Sequence, residues 1–133
     1  VIVVDGSAAA LLFGDADRDS RVLSARRILR EDLDWAVPEH WRIEVMSVVR
    51  GLSLAGTLSP ERAARVVAWL GRVTVLTLPT VPALVRVCEL RANLSAYDAA
   101  YVAVAESHGL TLVTADARIS RSGAARCQIR VIS

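Results

Sequence analysis

Along the chain, short runs that are wholly apolar alternate with longer stretches in which apolar residues recur at helical spacing. "VIVV" at 1–4 is a continuous apolar run, the mark of a strand buried on both faces. "WAV" (35–37), the β-branched "VTVLTL" (73–78), "LTLVTA" (110–115) and the closing "CQIRVIS" (127–133) read as further strands. Between them, "GSAAALLFG" (6–14) predicts a short helix stopped at Gly14. Residues 15–32 place Val22, Ala25, Ile28 and Leu29 on one stripe with arginines opposite, an amphipathic helix. A helix of several turns is expected over 39–56, with Pro38 ending the preceding strand and Gly56 as the stop. "SPERAARVVAWLGR" (59–72) opens with serine, proline and glutamate, a clear start signal. Helices are also expected over 82–94, over 95–109 between Ser95 and Gly109, and as a short turn at 116–123.

Strands that alternate with helices define an α/β fold built on a mainly parallel sheet. No repeat, linker or low-complexity segment interrupts the 133 residues, so residues 1–133 read as one domain. The polar segment "GDADRDS" reads as a surface turn.

Composition adjusts this picture in three places. The chain is 53% hydrophobic, yet no uncharged apolar run approaches the roughly 18 residues a membrane span needs. The surplus belongs to a dense core and a subunit interface. The apolar start leaves no visible leader segment, which points to the cytoplasm. All 16 basic residues are arginine, so chemistry that needs a lysine is excluded, and the net charge of +2 does not by itself mark a nucleic-acid binder. Cys88 and Cys127 share no metal-type spacing and read as small buried or half-buried residues.

Most of the 14 acidic residues fall in loops, first turns or polar helix faces. Four do not. Asp5 ends the first strand, where open parallel sheets bind ligands; it could equally cap the following helix by accepting from a backbone N–H near Ala8. Asp116 follows the "LTLVTA" strand in the same manner and could cap the turn after it. Glu44 shares a helix face with Trp41 and Val48, where a carboxylate needs an arginine partner or a metal ion. Asp98 completes a capping-box pattern with Ser95, yet leads the stripe Tyr101, Val102 and Ala105 that looks buried. If the strands are neighbours, all four acids converge at one end of the sheet. Such a cluster repels itself unless cations bind, and hard oxygen ligands select Mg²⁺ or Mn²⁺. The natural chemistry is metal-assisted phosphodiester hydrolysis.

"VIVVDGSA", the isolated glutamate in "RIEVMSVV", "SAYDAAYVAVAE" and "LVTADARI" together resemble the PIN-domain ribonucleases, and most of all the VapC-type toxins of VapBC toxin–antitoxin pairs. The likeness runs over essentially the whole chain. It implies a three-layer α/β/α sandwich around a parallel sheet. It also implies an acidic quartet at Asp5, Glu44, Asp98 and Asp116 holding Mg²⁺ or Mn²⁺, with Ser7 and Thr114 as supporting hydroxyls. The implied substrate is structured RNA of translation, of the tRNA or rRNA class. The implied partners are a second copy in a homodimer and a VapB-type antitoxin across the active-site groove.

RNA binding needs positive charge near the acids. Arg118 and Arg121 follow Asp116, and Arg42 precedes Glu44; Arg118 or Arg121 is the candidate for a substrate phosphate. Trp35, Trp41 and Trp69 read as core or interface rather than a stacking platform. His40 and His108 pair with no visible nucleophile, which argues against a histidine-based ribonuclease. A phosphoacceptor domain is excluded by the missing lysine, and a P-loop by the missing Gly-Lys-Ser/Thr. The remaining rival is a non-catalytic α/β interaction module whose acids pair with a partner's arginines.

Overall fold

The computed structural model describes residues 1–133. Five strands form the sheet: β1 (Ile2–Val4), β2 (Trp35–Pro38), β3 (Leu76–Leu78), β4 (Thr111–Thr114) and β5 (Ile129–Val131). Seven helices join them: α1 (Gly6–Ala10), α2 (Arg21–Glu31), α3 (Trp41–Leu54), α4 (Pro60–Arg72), α5 (Leu84–Glu89), α6 (Ala96–His108) and α7 (Ala117–Arg121). All strand pairs are parallel, in the order β3-β2-β1-β4-β5. The chain therefore winds outward one way from β1 and the other way from β4. That reversal makes the β1–β4 boundary the switch point of the sheet, with Val4 opposite Val113.

The expected sandwich is present. α6 lies across β1, β2 and β4 with α5 beside it, while α3 packs on both α1 and α4 in a second layer. α6 is buried along its whole middle, Ala99 to Ala105, because small side chains let it sit close to the sheet. The second layer is fixed by aromatic edges: Trp35 of β2 meets Trp41 of α3 at 6.4 Å and Trp69 of α4 at 6.3 Å between ring centroids. Trp35 and Trp41 are thus core residues, and Trp69 packs half-buried against them.

Helix boundaries follow sequence chemistry. Ser59 caps α4 by accepting from the Arg62 N–H at 3.3 Å. Gly109 ends α6 at φ +63°, a left-handed position that a side chain would strain. Several expectations need correction. "GSAAALLFG" splits into α1 and a 3-10 turn, Leu11–Phe13. Pro38 does not end β2; it is the last paired residue, opposite Leu78, because its fixed φ suits an extended strand end. The third strand is only Leu76–Leu78, since at the sheet edge Val73 to Val75 lack a second neighbour. The 82–94 helix shrinks to α5 behind a 3-10 turn. No α5 residue is buried, which leaves Cys88 exposed, while Cys127 is half-buried.

Leu112 in β4 is fully buried within the main core. Leu112→Ala should cost about 3 kcal/mol and lower Tm by roughly 10 °C in calorimetry.

Candidate active site

The switch point brings the first and last acidic motifs together. Asp5 directly follows β1 and is only 3% exposed. Its Oδ1 accepts from the Ala8 N–H at 2.8 Å and the Ser7 hydroxyl at 2.7 Å, and Oδ2 accepts from the Thr114 hydroxyl. The helix-cap role open to Asp5 is therefore real, and it coexists with a place at the sheet's carboxyl edge. Ser7 and Thr114, both expected near the acids, are the hydroxyls that hold Asp5. They also receive backbone donors: Ala115 N–H to Ser7 at 3.0 Å and Asp116 N–H to Thr114 at 2.9 Å.

Asp116 caps α7 through the Arg118 N–H at 2.9 Å. The Arg118 guanidinium forks onto the same carboxylate, with Nη2 to Oδ2 at 2.7 Å. That pairing holds Asp116 below the usual carboxylate range. Arg121 is exposed and makes no ion pair. Arg42 is not at the site: it turns toward the end of α4, donating to the Leu70 and Val73 carbonyls, with its guanidinium 5.8 Å from the Trp41 ring centroid.

Glu44 sits in the first turn of α3 and meets no arginine. Its Oε1 accepts from the Gly6 N–H at 3.1 Å, and its Oε2 lies 3.6 Å from His40 Nε2. A Cβ on Gly6 would fall 2.3 Å from Glu44 Oε1, so glycine there is a condition for the carboxylate's position. Asp98, half-buried near the start of α6, has its own N–H bonded to Ser95 Oγ at 3.2 Å. The local capping role is thus met through the backbone, and the carboxylate still feels the charges of Asp116, Arg118 and His40.

The four acids form one electrostatic unit. Burial, opposed by the Thr114 hydrogen bond, raises the Asp5 pKa, and the Asp98 charge adds to the rise. Burial, opposed by a loose contact with the Tyr101 hydroxyl, raises the Glu44 pKa, and the Asp5 and Asp98 charges add to the rise. Burial raises Asp98, followed by repulsion from Asp116. No three acidic or histidine side chains are already drawn close enough to form a ready-made cage. A small hard cation that keeps several of its waters suits such a spread, all-oxygen set. Two buried polar atoms beside Glu44, the Tyr101 hydroxyl and His40 Nε2, have no hydrogen-bond partner. Neither residue was singled out as functional from sequence, where Tyr101 fell on a buried-looking stripe and His40 paired with no visible nucleophile. His108, at the end of α6, binds its own helix at the Val104 carbonyl, 3.0 Å away, a structural role.

A doubly wound parallel sheet with acidic side chains gathered at its switch point defines the class of this protein. The PIN domain family matches residues 2–124, and the chain belongs to that family. VapC ribonuclease Mb0985 of Mycobacterium bovis is 37% identical over 132 residues, 99% of this chain and 98% of that protein. Among solved structures, Mycobacterium tuberculosis VapC20, described as a sarcin-ricin loop cleaving toxin, superposes with a TM-score of 0.69 at 22% identity, covering 92% of this chain and 95% of that one. A toxin–antitoxin complex from Klebsiella pneumoniae matches at TM-score 0.56 and 20% identity, covering 88% of each chain. No helix is long and apolar enough to cross a membrane.

The raised carboxylates have a consequence for stability. Each holds its proton more tightly folded than unfolded, so the ligand-free fold loses stability as pH climbs from the ordinary carboxylate values through the raised ones. Asp98→Asn should therefore raise the Tm of the metal-free protein at pH 7 by roughly 2–4 °C, a size limited by solvent screening. Thermal melts across pH should show the gain shrinking toward pH 4.

Proposed function

We propose that this chain is a Mg²⁺- or Mn²⁺-dependent endoribonuclease, the toxin of a toxin–antitoxin pair. The observation that carries this reading is the convergence of Asp5, Glu44, Asp98 and Asp116 at the switch point, three of them with raised pKa values and only Asp116 with an arginine on it. The ribonuclease name and near-full-length likeness of the VapC relatives support it. The four acids would hold the cation, and Ser7 and Thr114 would fix Asp5. Bound there, Mg²⁺ or Mn²⁺ would supply a Lewis acid and an activated water for phosphodiester hydrolysis.

The chain's own residues account for the rest. Arg121, exposed and unpaired, is placed to meet a substrate phosphate; Arg118 could do so after leaving Asp116. Arginine suits this task because its planar fork binds two phosphate oxygens. The RNA class we favour is structured tRNA or rRNA, in keeping with the sarcin-ricin loop named for VapC20. For the partner we propose a VapB-type antitoxin. An apolar cleft lined by Phe13, Leu29 and Trp69 carries Arg26, Arg30 and Arg65 around it, none of them in an ion pair. An acidic amphipathic segment of an antitoxin would complement it. A homodimer and a cytoplasmic setting complete the proposal.

Purified protein incubated with total RNA and Mn²⁺ should make discrete cuts that chelation abolishes. Asp5→Asn and Asp98→Asn should reduce the rate by at least about 100-fold. Equal cutting by all three proteins would show the assignment to be wrong. Silence in all three, with no metal-induced rise in Tm, would favour the non-catalytic interaction module. Gly6→Ala offers a separate check. Its Cβ displaces the flexible end of Glu44 rather than backbone, so Tm should fall by no more than a few degrees while cleavage drops by about 10-fold or more.

A further inference from the structure

Glu44, half-buried in the first turn of α3, is the acid whose anchoring is incomplete. Asp5 has three donors on its two oxygens, whereas Glu44 has the Gly6 N–H alone within hydrogen-bond distance. Beside it stands Tyr101 of α6, 0% exposed, its hydroxyl without a partner. The hydroxyl makes no close hydrogen bond, yet it is near enough to Glu44 and Asp5 that burial, then their two charges and a loose contact with the Glu44 carboxylate, push its pKa far up. A phenol carries its proton at neutral pH, so Tyr101 faces the carboxylates as a donor. The Tyr101 ring packs edge-on against His40 at 4.9 Å between centroids, which leaves the hydroxyl little freedom to turn elsewhere. An unpaired buried hydroxyl costs stability, and phenylalanine would fill the same space without that cost. Its presence fits a contact with Glu44 that closes only when the carboxylate is drawn nearer.

We propose that Tyr101 is a positioning residue for Glu44: as a divalent cation draws the Glu44 carboxylate into place, the Tyr101 hydroxyl donates to it from the protein side. Gly6 then holds Glu44 from the start of α1, Tyr101 holds it from α6, and His40 Nε2 borders it at 3.6 Å. Donors from two other helices, α1 and α6, thereby fix one carboxylate, as outer donors commonly fix a metal ligand. The inference rests on the metal-site reading above and adds a residue that the acidic motifs do not contain.

Tyr101→Phe keeps the ring and removes only the hydroxyl. Its metal-free Tm should equal or exceed that of the native protein. Mn²⁺ affinity, measured by calorimetry on the full chain, should weaken about 10-fold. In a Glu44→Gln background the same change should weaken binding no further, since the two residues act through one contact. Native-like Mn²⁺ binding by Tyr101→Phe overturns the inference and leaves the metal site standing. Equal weakening in both backgrounds, or a metal-free Tm lower by more than about 10 °C, also overturns it by assigning the hydroxyl a general structural role. If the native protein binds no Mn²⁺, the metal reading falls and this inference falls with it.

Discussion

The hydrogen bond from the Thr114 hydroxyl to Asp5 joins the ends of β1 and β4 at the one boundary where the winding of the sheet reverses. It does not stand alone. Thr114 also receives the Asp116 N–H, and Ser7 donates to Asp5 while receiving the Ala115 N–H. Two hydroxyls, each acting as donor and acceptor, thereby stitch the β1–α1 turn to the β4–α7 turn. The positions of both strand-end aspartates depend on that stitch. Without it, two peptide segments more than a hundred residues apart would end beside each other with their polar groups unpaired.

Around this stitch the fold concentrates like charge, which a structure selected only for stability would avoid. The opposing investment is visible in the layers. α6 is almost free of large side chains between Ala99 and Ala105 apart from Tyr101 and two valines, so it lies close to the sheet and brings Asp98 to its edge. On the other face the tryptophan cluster fixes α3, whose first turn carries Glu44. The apolar core thus holds rigid the helices that carry mutually repelling groups, and a cation would convert that repulsion into binding.

Much of this was legible in the chain. Strand ends and helix starts have local signals, so Asp5, Asp98 and Asp116 could be placed from their neighbours, and Ser95 and Ser59 announce helices that begin where expected. Two aspartates proved to cap helices and line the site at once, because a carboxylate has enough lone pairs for both duties. What stayed hidden depends on contacts between distant segments. Gly6 looks like a turn residue until Glu44, 38 positions away, is found against it. Tyr101 looks like core until its hydroxyl is seen to lack a partner. Arg42 neighbours Glu44 in sequence, but the helical twist sends its side chain to the end of α4. The short β3 and the paired Pro38 likewise reflect an edge position that no local pattern declares.

The use of arginine as the sole cation has one further bearing on the site. Among the four acids, only Asp116 carries a guanidinium, and that guanidinium is its close neighbour in sequence, with its side chain 78% exposed. An exposed ion pair contributes little net stability, because water screens the charges and the long side chain gives up freedom to hold them. Arg118 is therefore a weakly held counter-charge. It can neutralise Asp116 when nothing else does and can exchange that carboxylate for a phosphate without a large barrier. Buried Asp5 and half-buried Glu44 have no such stand-in; their compensation comes from hydroxyl and backbone donors. The site thus divides into an inner part set by neutral donors and a rim set by mobile charge. On the proposed nuclease reading, the inner part fixes the cation and the rim meets the RNA.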